Sequence, residues 1–328
     1  MKLDELAQLA GVSKTTASYV INGKADQYRI SQRTRDKVMA IVNEHGFHPD
    51  HGASSLRRGK SRSIGLVIPD LENKSYARLA KLLEGNARKH GFQLLISCTD
   101  DNPDTEKDVV RLLLSRKLDA LITASCLTES FDFYQTIQNK GTPVIAVDRT
   151  LPAEHFTSIT SEDEQGAELL TSKMLENKPA SIALISACPE LSVSQSREAG
   201  FRQAIEKQTT SIDFEVCYGR QFSPDTSREM MEQWISAGTI PETIITASFT
   251  LCEGVLDSIC SHPELGEKVQ LATFGDHRFL DFLPFKVQSL SQQFELIAEH
   301  VLAKTLKAIG GDYEAGLTLV KRQPVWRF

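Results

Sequence analysis

The stretch that leaves this chain the least freedom is Leu3 to Asn22, LDELAQLAGVSKTTASYVIN. Leu3, Leu6, Ala7 and Ala10 recur at three and four residues and give a first helix one apolar face. Gly11 follows, where a left-handed residue ends a helix without steric cost, and apolar Val12 plugs the corner. Ser13 is placed to cap a second helix running from Lys14 to about Ile21. On that helix Ala17, Val20 and Ile21 face inward, while Lys14, Thr15, Ser18 and Tyr19 face out. One cation, small hydroxyls and a tyrosine on an exposed helix suit the DNA major groove. An ordinary amphipathic hairpin is the alternative; the next forty residues weigh against it.

Charge sharpens the point. The whole chain of 328 residues has a net charge of -6, which taken alone argues against nucleic acid. Residues 1–60, however, hold ten Lys and Arg against six Asp and Glu, and the remainder holds 27 against 37. A basic head on an acidic body focuses DNA binding on the head. There is no apolar signal core at the N-terminus and no apolar run of membrane-spanning length, so the expected location is the cytoplasm, with no membrane partner. Six cysteines lie far apart, without a C-x-x-C pair, and read as reduced core residues.

After the hairpin, Gly23 to Ile30 is a polar loop whose Lys24, Tyr28 and Arg29 reach towards phosphates or simply face solvent. Ser31 caps a third helix, Gln32 to about His45, with Val38, Ile41 and Val42 packing on the first two. Gly46 and Pro49 end it. Asp50 to Ser63 is small, polar and basic, too poor in apolar residues to own a core, and reads as a linker. From Ser63 the texture becomes alternating strand and helix: SIGLVIPD, ARLAKLLEGNARKHG, FQLLISCTD and onward to TPVIAVDR, then again from EQGAELLTSKMLENK to VQLATFG. This rhythm predicts parallel sheets with helices on both faces and ligands at the carboxyl ends of the strands. No phosphate-loop, dinucleotide, nucleophile-elbow or metal-spaced motif is present, so no catalysis, cofactor or metal is expected.

The pattern L-x-E-x-A-x-x-A-G-V-S-x-x-T-x-S-x-x-I-N resembles the DNA-binding headpiece of the lactose/galactose repressor family. The segments ASYVINGKADQYRIS, IGLVIPDLENKSYARLAKLLE, VDRTLPAEHFTSI and ATFGDHRFLDFLP bring the chain nearest to the family's fructose-responsive members. The resemblance implies an all-α helix-turn-helix headpiece (1–47), a hinge (48–61) and an α/β core (62–328) like the periplasmic sugar-binding proteins. Its subdomains are expected at about 62–160 with 290–318, and 161–289 with 319–328. It also implies a homodimer or homotetramer on a near-palindromic operator. The chain stops at Phe328 without a heptad segment, so a coiled-coil tetramerisation tail is not expected. The DNA-binding set is then Ser13, Lys14, Thr15, Thr16, Ser18, Tyr19, Asn22, Tyr28 and Arg29, with Ala53, Leu56 and Arg57 from the hinge. In the family, hinge leucines wedge into the minor groove; Leu56 occupies that position, with Arg57 and Arg58 beside it for the backbone.

For the cleft, residues just after each strand matter most. Ser75, Tyr76 and Arg78 follow the first strand of the core. Asp148 and Arg149 follow the fourth; the resemblance makes the Asp a sugar-hydroxyl ligand, and Arg149 beside it suits phosphate. Arg197 matches the family's effector-binding arginine, Gln292 a residue near the cleft, and Arg322 an arginine read here as structural. Ser248-Phe249 stands where neutral-sugar members carry Asn-Asp, and Phe274-Gly275-Asp276 where they carry Tyr-Asp-Asp. Loss of carboxylates and gain of arginine favour an anion. The expected effector is fructose 1-phosphate, with fructose 1,6-bisphosphate behind it. A sucrose-type repressor answering to a neutral sugar is the alternative, and a sugar-transport protein of the same fold is a more distant one.

Overall fold

The computed structural model describes residues 1–47, 60–127 and 131–327. The chain divides into two compact units, Met1–Ser61 and Arg62–Phe328.

The first unit is helical: α1 (Leu3–Leu9), α2 (Lys14–Ile21) and α3 (Gln32–Glu44). The expected caps and corner glycine operate, while Pro49, expected to stop the third helix, lies outside the described residues. Gly11 adopts φ 61° between the first two helices. The Ser13 hydroxyl accepts the Thr16 N–H at 3.0 Å, and the Ser31 hydroxyl that of Thr34 at 3.3 Å. Leu6, Ala7, Ala10, Ala17, Val20 and Val38 form the core, with Val12, Ile21, Ile41 and Val42 packed at its edge. The loop after α2 is not merely polar. Ala25 is buried in this core, and the Arg35 guanidinium donates to the Ile30 carbonyl at 2.9 Å.

The second unit holds two six-stranded sheets. One is built from β1 (Ser63–Ile68), β2 (Gln93–Cys98), β3 (Ala120–Thr123), β4 (Val144–Val147), β5 (Thr157–Ser161) and β11 (Gly316–Val320). Its order is β11-β5-β4-β3-β1-β2, parallel throughout. The other has β6 (Ser181–Ala187), β7 (Asp213–Gly219), β8 (Thr243–Thr246), β9 (Gln270–Phe274), β10 (Val287–Ser291) and β12 (Gln323–Val325), in the order β12-β10-β9-β8-β6-β7. Only β12 runs antiparallel. Each sheet reverses its strand order beside its first strand. That reversal opens a crevice at the carboxyl ends, where ligands bind in such folds.

Helices cover both faces. They are α4 (Lys74–Lys89), α5 (Pro103–Ser115), α6 (Asp132–Asn139), α7 (Asp163–Leu175), α8 (Ser192–Glu206), α9 (Pro224–Ala237), α10 (Phe249–Ser261) and α12 (Phe294–Ile309); the one-turn α11 (Leu265–Lys268) precedes β9. The close approach of α7 and α8 needs Gly200, where a Cβ would stand 2.0 Å from the Glu164 carbonyl oxygen. As expected, α12 returns to the first lobe: Ile297, Ala298, Val301 and Leu302 share a cluster with Ile64, Leu66 and Ile68.

Three details differ from the sequence reading. Strand β5 was not foreseen, since TSITS alternates between hydroxyl and apolar residues only once, yet all five residues are buried. The β11 strand runs to Val320, so the last crossing falls between it and Gln323, later than residue 318. The chain thus crosses between lobes at Glu162, at Gln292–Gln293 and at Lys321–Arg322. All six cysteines are free; Cys188 and Cys252 are buried, but Cys260 is exposed on α10 and is no core residue.

Candidate functional site

On the head, Ser13, Lys14, Thr15, Asn22, Tyr28 and Arg29 are exposed, and Thr16, Ser18 and Tyr19 half-buried. Several are already engaged. Lys14 pairs with Asp4 at 2.9 Å, Thr16 exchanges a hydrogen bond with Ser13 at 2.8 Å, and the Asn22 amide donates to the Ser18 carbonyl at 2.7 Å. Tyr19 lies flat against Tyr28, with ring centroids 3.6 Å apart and planes 3° apart. The loop residue therefore fixes the recognition-helix residue. The hinge residues Ala53, Leu56, Arg57 and Arg58 lie outside the described residues.

Between the lobes of the second unit lies a cavity of about 500 Å³. It brings together Ser75, Tyr76, Asp148, Arg149, Arg197, Ser248, Phe249 and Gln292 from the expected set. Asp148 sits at the end of β4 with φ 64°. The Tyr76 hydroxyl donates to its Oδ2 at 2.7 Å, and the Gln292 amide to its Oδ1 at 3.1 Å. Arg149, 4% exposed, donates through both terminal nitrogens to Asp101, one contact being 3.0 Å. Arg197 on α8 donates to the Ala247 carbonyl at 2.6 Å and to Asp163 at 3.2 Å. Arg322 donates from Nε to the other oxygen of Asp163 at 2.5 Å. Both guanidinium groups stand over the Phe274 ring, at 4.9 and 5.1 Å.

At the deep end two buried guanidiniums, Arg197 and Arg322, share the one carboxylate of Asp163, and the Asp148 carboxylate acts on Arg322 without bonding it. Burial alone would raise the Asp163 carboxyl, but Arg197 and Arg322 override it and hold it below its ordinary value. Burial, with Arg197 alongside, pulls Arg322 down despite Asp163. The Nε atoms of Arg149 and Arg197 are buried and have no hydrogen-bond partner among the described residues. Groups of this kind are satisfied by an anion or a ring of acceptors.

Three expectations need correction. Arg78 is not in the cavity. It is exposed, pairs with Glu295 at 2.6 Å and lies over Phe294, because it stands one helical turn further from the strand ends than Lys74. Asp276 is also outside, held by Arg327 and by the Ser289 hydroxyl, each at 2.7 Å. Arg322, read as structural, lines the cavity. Two further residues have prior duties: the Ser248 hydroxyl caps α10 by accepting the Leu251 N–H at 3.1 Å, and the Ser75 N–H is taken by the Asn73 side chain at 3.0 Å. Nor is the cleft poor in carboxylates. Asp70, Glu72, Asp100, Asp101 and Glu253 line it too, and Lys74 pairs with Glu253 across the mouth, between α4 and α10. Among the described residues no cluster of His, Cys, Asp or Glu is arranged to hold a metal, and no helix is long and apolar enough to cross a membrane.

Comparison with known proteins places these two units. Residues 2–50 match the model for bacterial regulatory proteins of the lacI family, and residues 61–252 that for periplasmic binding proteins and the sugar-binding domain of the same family. The chain belongs to the lacI family of bacterial regulatory proteins: it is a DNA-binding transcription regulator, not an enzyme or a transport protein. It is 50% identical to the fructose operon regulatory protein of Vibrio cholerae over 323 residues, 98% of each chain. To the catabolite repressor/activator of Escherichia coli it is 44% identical over 98% of this chain and 97% of that one. The crystal structure of the Cra transcriptional dual regulator from Pseudomonas putida, in complex with fructose 1-phosphate, superposes with a TM-score of 0.78 at 42% identity, covering 81% of this chain and 99% of that one. The expected nearness to fructose-responsive members holds.

Proposed function

We propose that this regulator acts as a homodimer or homotetramer on a near-palindromic operator and releases it when fructose 1-phosphate fills the cleft. The observation that carries the effector is the convergence of three buried guanidiniums: Arg197 and Arg322 share the one carboxylate of Asp163, and Arg149 and Arg197 each keep an unpartnered Nε. A phosphate dianion offers such guanidiniums the paired anionic acceptors that a neutral sugar lacks. The size of the cavity suits a hexose phosphate.

In this reading Asp148, with Gln292 and Ser248, takes sugar hydroxyls, and Phe249 and Phe274 wall the ring. Arg149, Arg197 and Arg322 face the phosphate. Arg149 is already neutralised by Asp101, so the Arg197–Arg322 pair carries more of the phosphate attraction than adjacency to Asp148 suggests. On the head, Lys14, Thr15 and Tyr19 read bases, while Ser13, Thr16, Ser18, Asn22, Tyr28 and Arg29 hold the backbone. The hinge set Ala53, Leu56 and Arg57 belongs to the same proposal through the family resemblance.

Calorimetry with fructose 1-phosphate, fructose and sucrose tests it directly. Fructose 1-phosphate should bind at least about tenfold more tightly than either neutral sugar, since a charge-assisted pair contributes about 1.5–3 kcal/mol. Arg149→Ala should weaken that binding about tenfold and leave sugar-free operator affinity unchanged. Equal affinity for fructose or sucrose in the wild type would replace the phosphate reading with a sucrose-type one.

A further inference from the structure

Lys74 stands at the first position of α4 in one lobe, and Glu253 one turn into α10 in the other. Their ion pair, at 2.5 Å, joins the lobes through residues that belong to none of the three chain crossings. A cation at a helix start opposes the helix dipole, and α4 has no acidic residue in its first turn. Lys74 is therefore placed against its local preference, and its partner comes from the other lobe. A seat is built for it there. Phe249 and Glu253, four residues apart, share one face of α10, and the ammonium lies 5.0 Å from the centre of the Phe249 ring as well as on the carboxylate. The ring is itself backed by His277, with centroids 5.2 Å apart. On its own side Lys74 is fixed by a capped helix start: the Asn73 side chain accepts the Ser75 N–H at 3.0 Å, and the Asn73 N–H donates to Asp70 at 2.6 Å. By comparison, the Thr150 N–H reaches the Ser192 hydroxyl of the other lobe at 3.4 Å, a longer and weaker contact.

We propose that Lys74, Glu253 and Phe249 form a clasp that favours the closed angle between the lobes, so that breaking it strengthens operator binding and weakens effector binding together. The inference rests on the effector-release reading above. Both lobes line the cavity, Ser75 and Asp148 from one, Arg197 and Ser248 from the other. A sugar phosphate that touches both sides favours the same closed angle as the clasp. What the sugar favours the operator disfavours, because the two are linked. The clasp thus sets how far the protein leans towards release before any sugar arrives.

Gel shifts without sugar and calorimetry with fructose 1-phosphate, on full-length wild type, E253Q, K74M and the charge swap K74E/E253K, provide the test. E253Q should bind operator about two- to fivefold more tightly and fructose 1-phosphate more weakly by a similar factor, the scale of an exposed ion pair. The sign discriminates: taking a carboxylate from a cleft that receives an anion would, by charge alone, tighten sugar-phosphate binding. K74M should match E253Q on operator, and the swap should return operator affinity most of the way to wild type. Because both charged groups are partly exposed, an unchanged thermal melt verifies that the variants are folded. Unchanged or tighter fructose 1-phosphate binding by E253Q, or operator affinity unmoved or lowered in the single variants, would overturn the clasp and leave the effector reading in place. Failure of the wild type to bind fructose 1-phosphate overturns both.

Discussion

Asp163 is the residue on which the buried end of the cleft depends. It accepts from Arg197 and Arg322 on separate oxygens and is 5% exposed. Removing its charge leaves two guanidiniums buried without a counter-ion, the costly way to break such a group. Asp163→Asn should lower stability by about 3–5 kcal/mol in urea denaturation. The folded carboxyl titrates below its ordinary range, so its contribution is complete above the unfolded value near pH 4 and is lost as pH falls through the lower folded value. Acid melts should therefore show wild type approaching the variant only below about pH 4. Asp163 was not legible beforehand, because its partners come from α8 and from the segment before β12, more than thirty residues away. Asp148, Arg149 and Arg197 were legible, since they follow strand ends or match a family pattern. Arg78 misled because a position four residues along a helix lies a full turn from the cleft.

At the scale of elements, the headpiece was the most legible part. Caps, a corner glycine and three-four spacing act locally and are readable without tertiary context. What was hidden was the packing of the 23–30 loop, where Arg29 takes φ 51° and Tyr28 is laid on Tyr19. A favourable aromatic pair contributes about 0.5–1.5 kcal/mol beyond burial. Tyr19→Ala should change which operator variant is preferred in a gel-shift panel. Tyr28→Ala should blunt the same preference without reversing it, because it frees the Tyr19 ring rather than deleting it. Uniform loss across all operators would assign both tyrosines to backbone positioning. The β5 strand escaped notice for the opposite reason: its burial comes from neighbours on both sides, β4 and β11, not from its own pattern.

At the scale of the whole molecule, a repressor that lets go of DNA on binding a sugar is a pair of linked equilibria. If fructose 1-phosphate weakens operator binding by some factor, operator must weaken fructose 1-phosphate binding by the same factor, commonly about 5–150-fold. Calorimetric titration of the sugar phosphate with and without a saturating operator duplex should return the factor seen in gel shifts. A factor of one in both assays would mean that fructose 1-phosphate and operator are not coupled at all. The two-lobed core was foreseen from the repeated strand-helix rhythm. The crossings were placed only approximately, because short connections carry no periodicity of their own.

Those crossings have a mechanical consequence. Three strips of chain, of one or two residues each, join the lobes, and they lie against one another: the Gln293 amide donates to the Lys321 carbonyl at 2.8 Å, and the Glu162 N–H to the Val320 carbonyl at 2.9 Å. Straps so short and so close allow little sliding or stretching, which leaves the lobes one axle to turn on. Gln292 and Arg322 are part of that axle and also face the cavity. A molecule lodged there grips the pin of the hinge as well as its two plates, so the angle of the hinge registers an occupant that fits the jaws and the axle together.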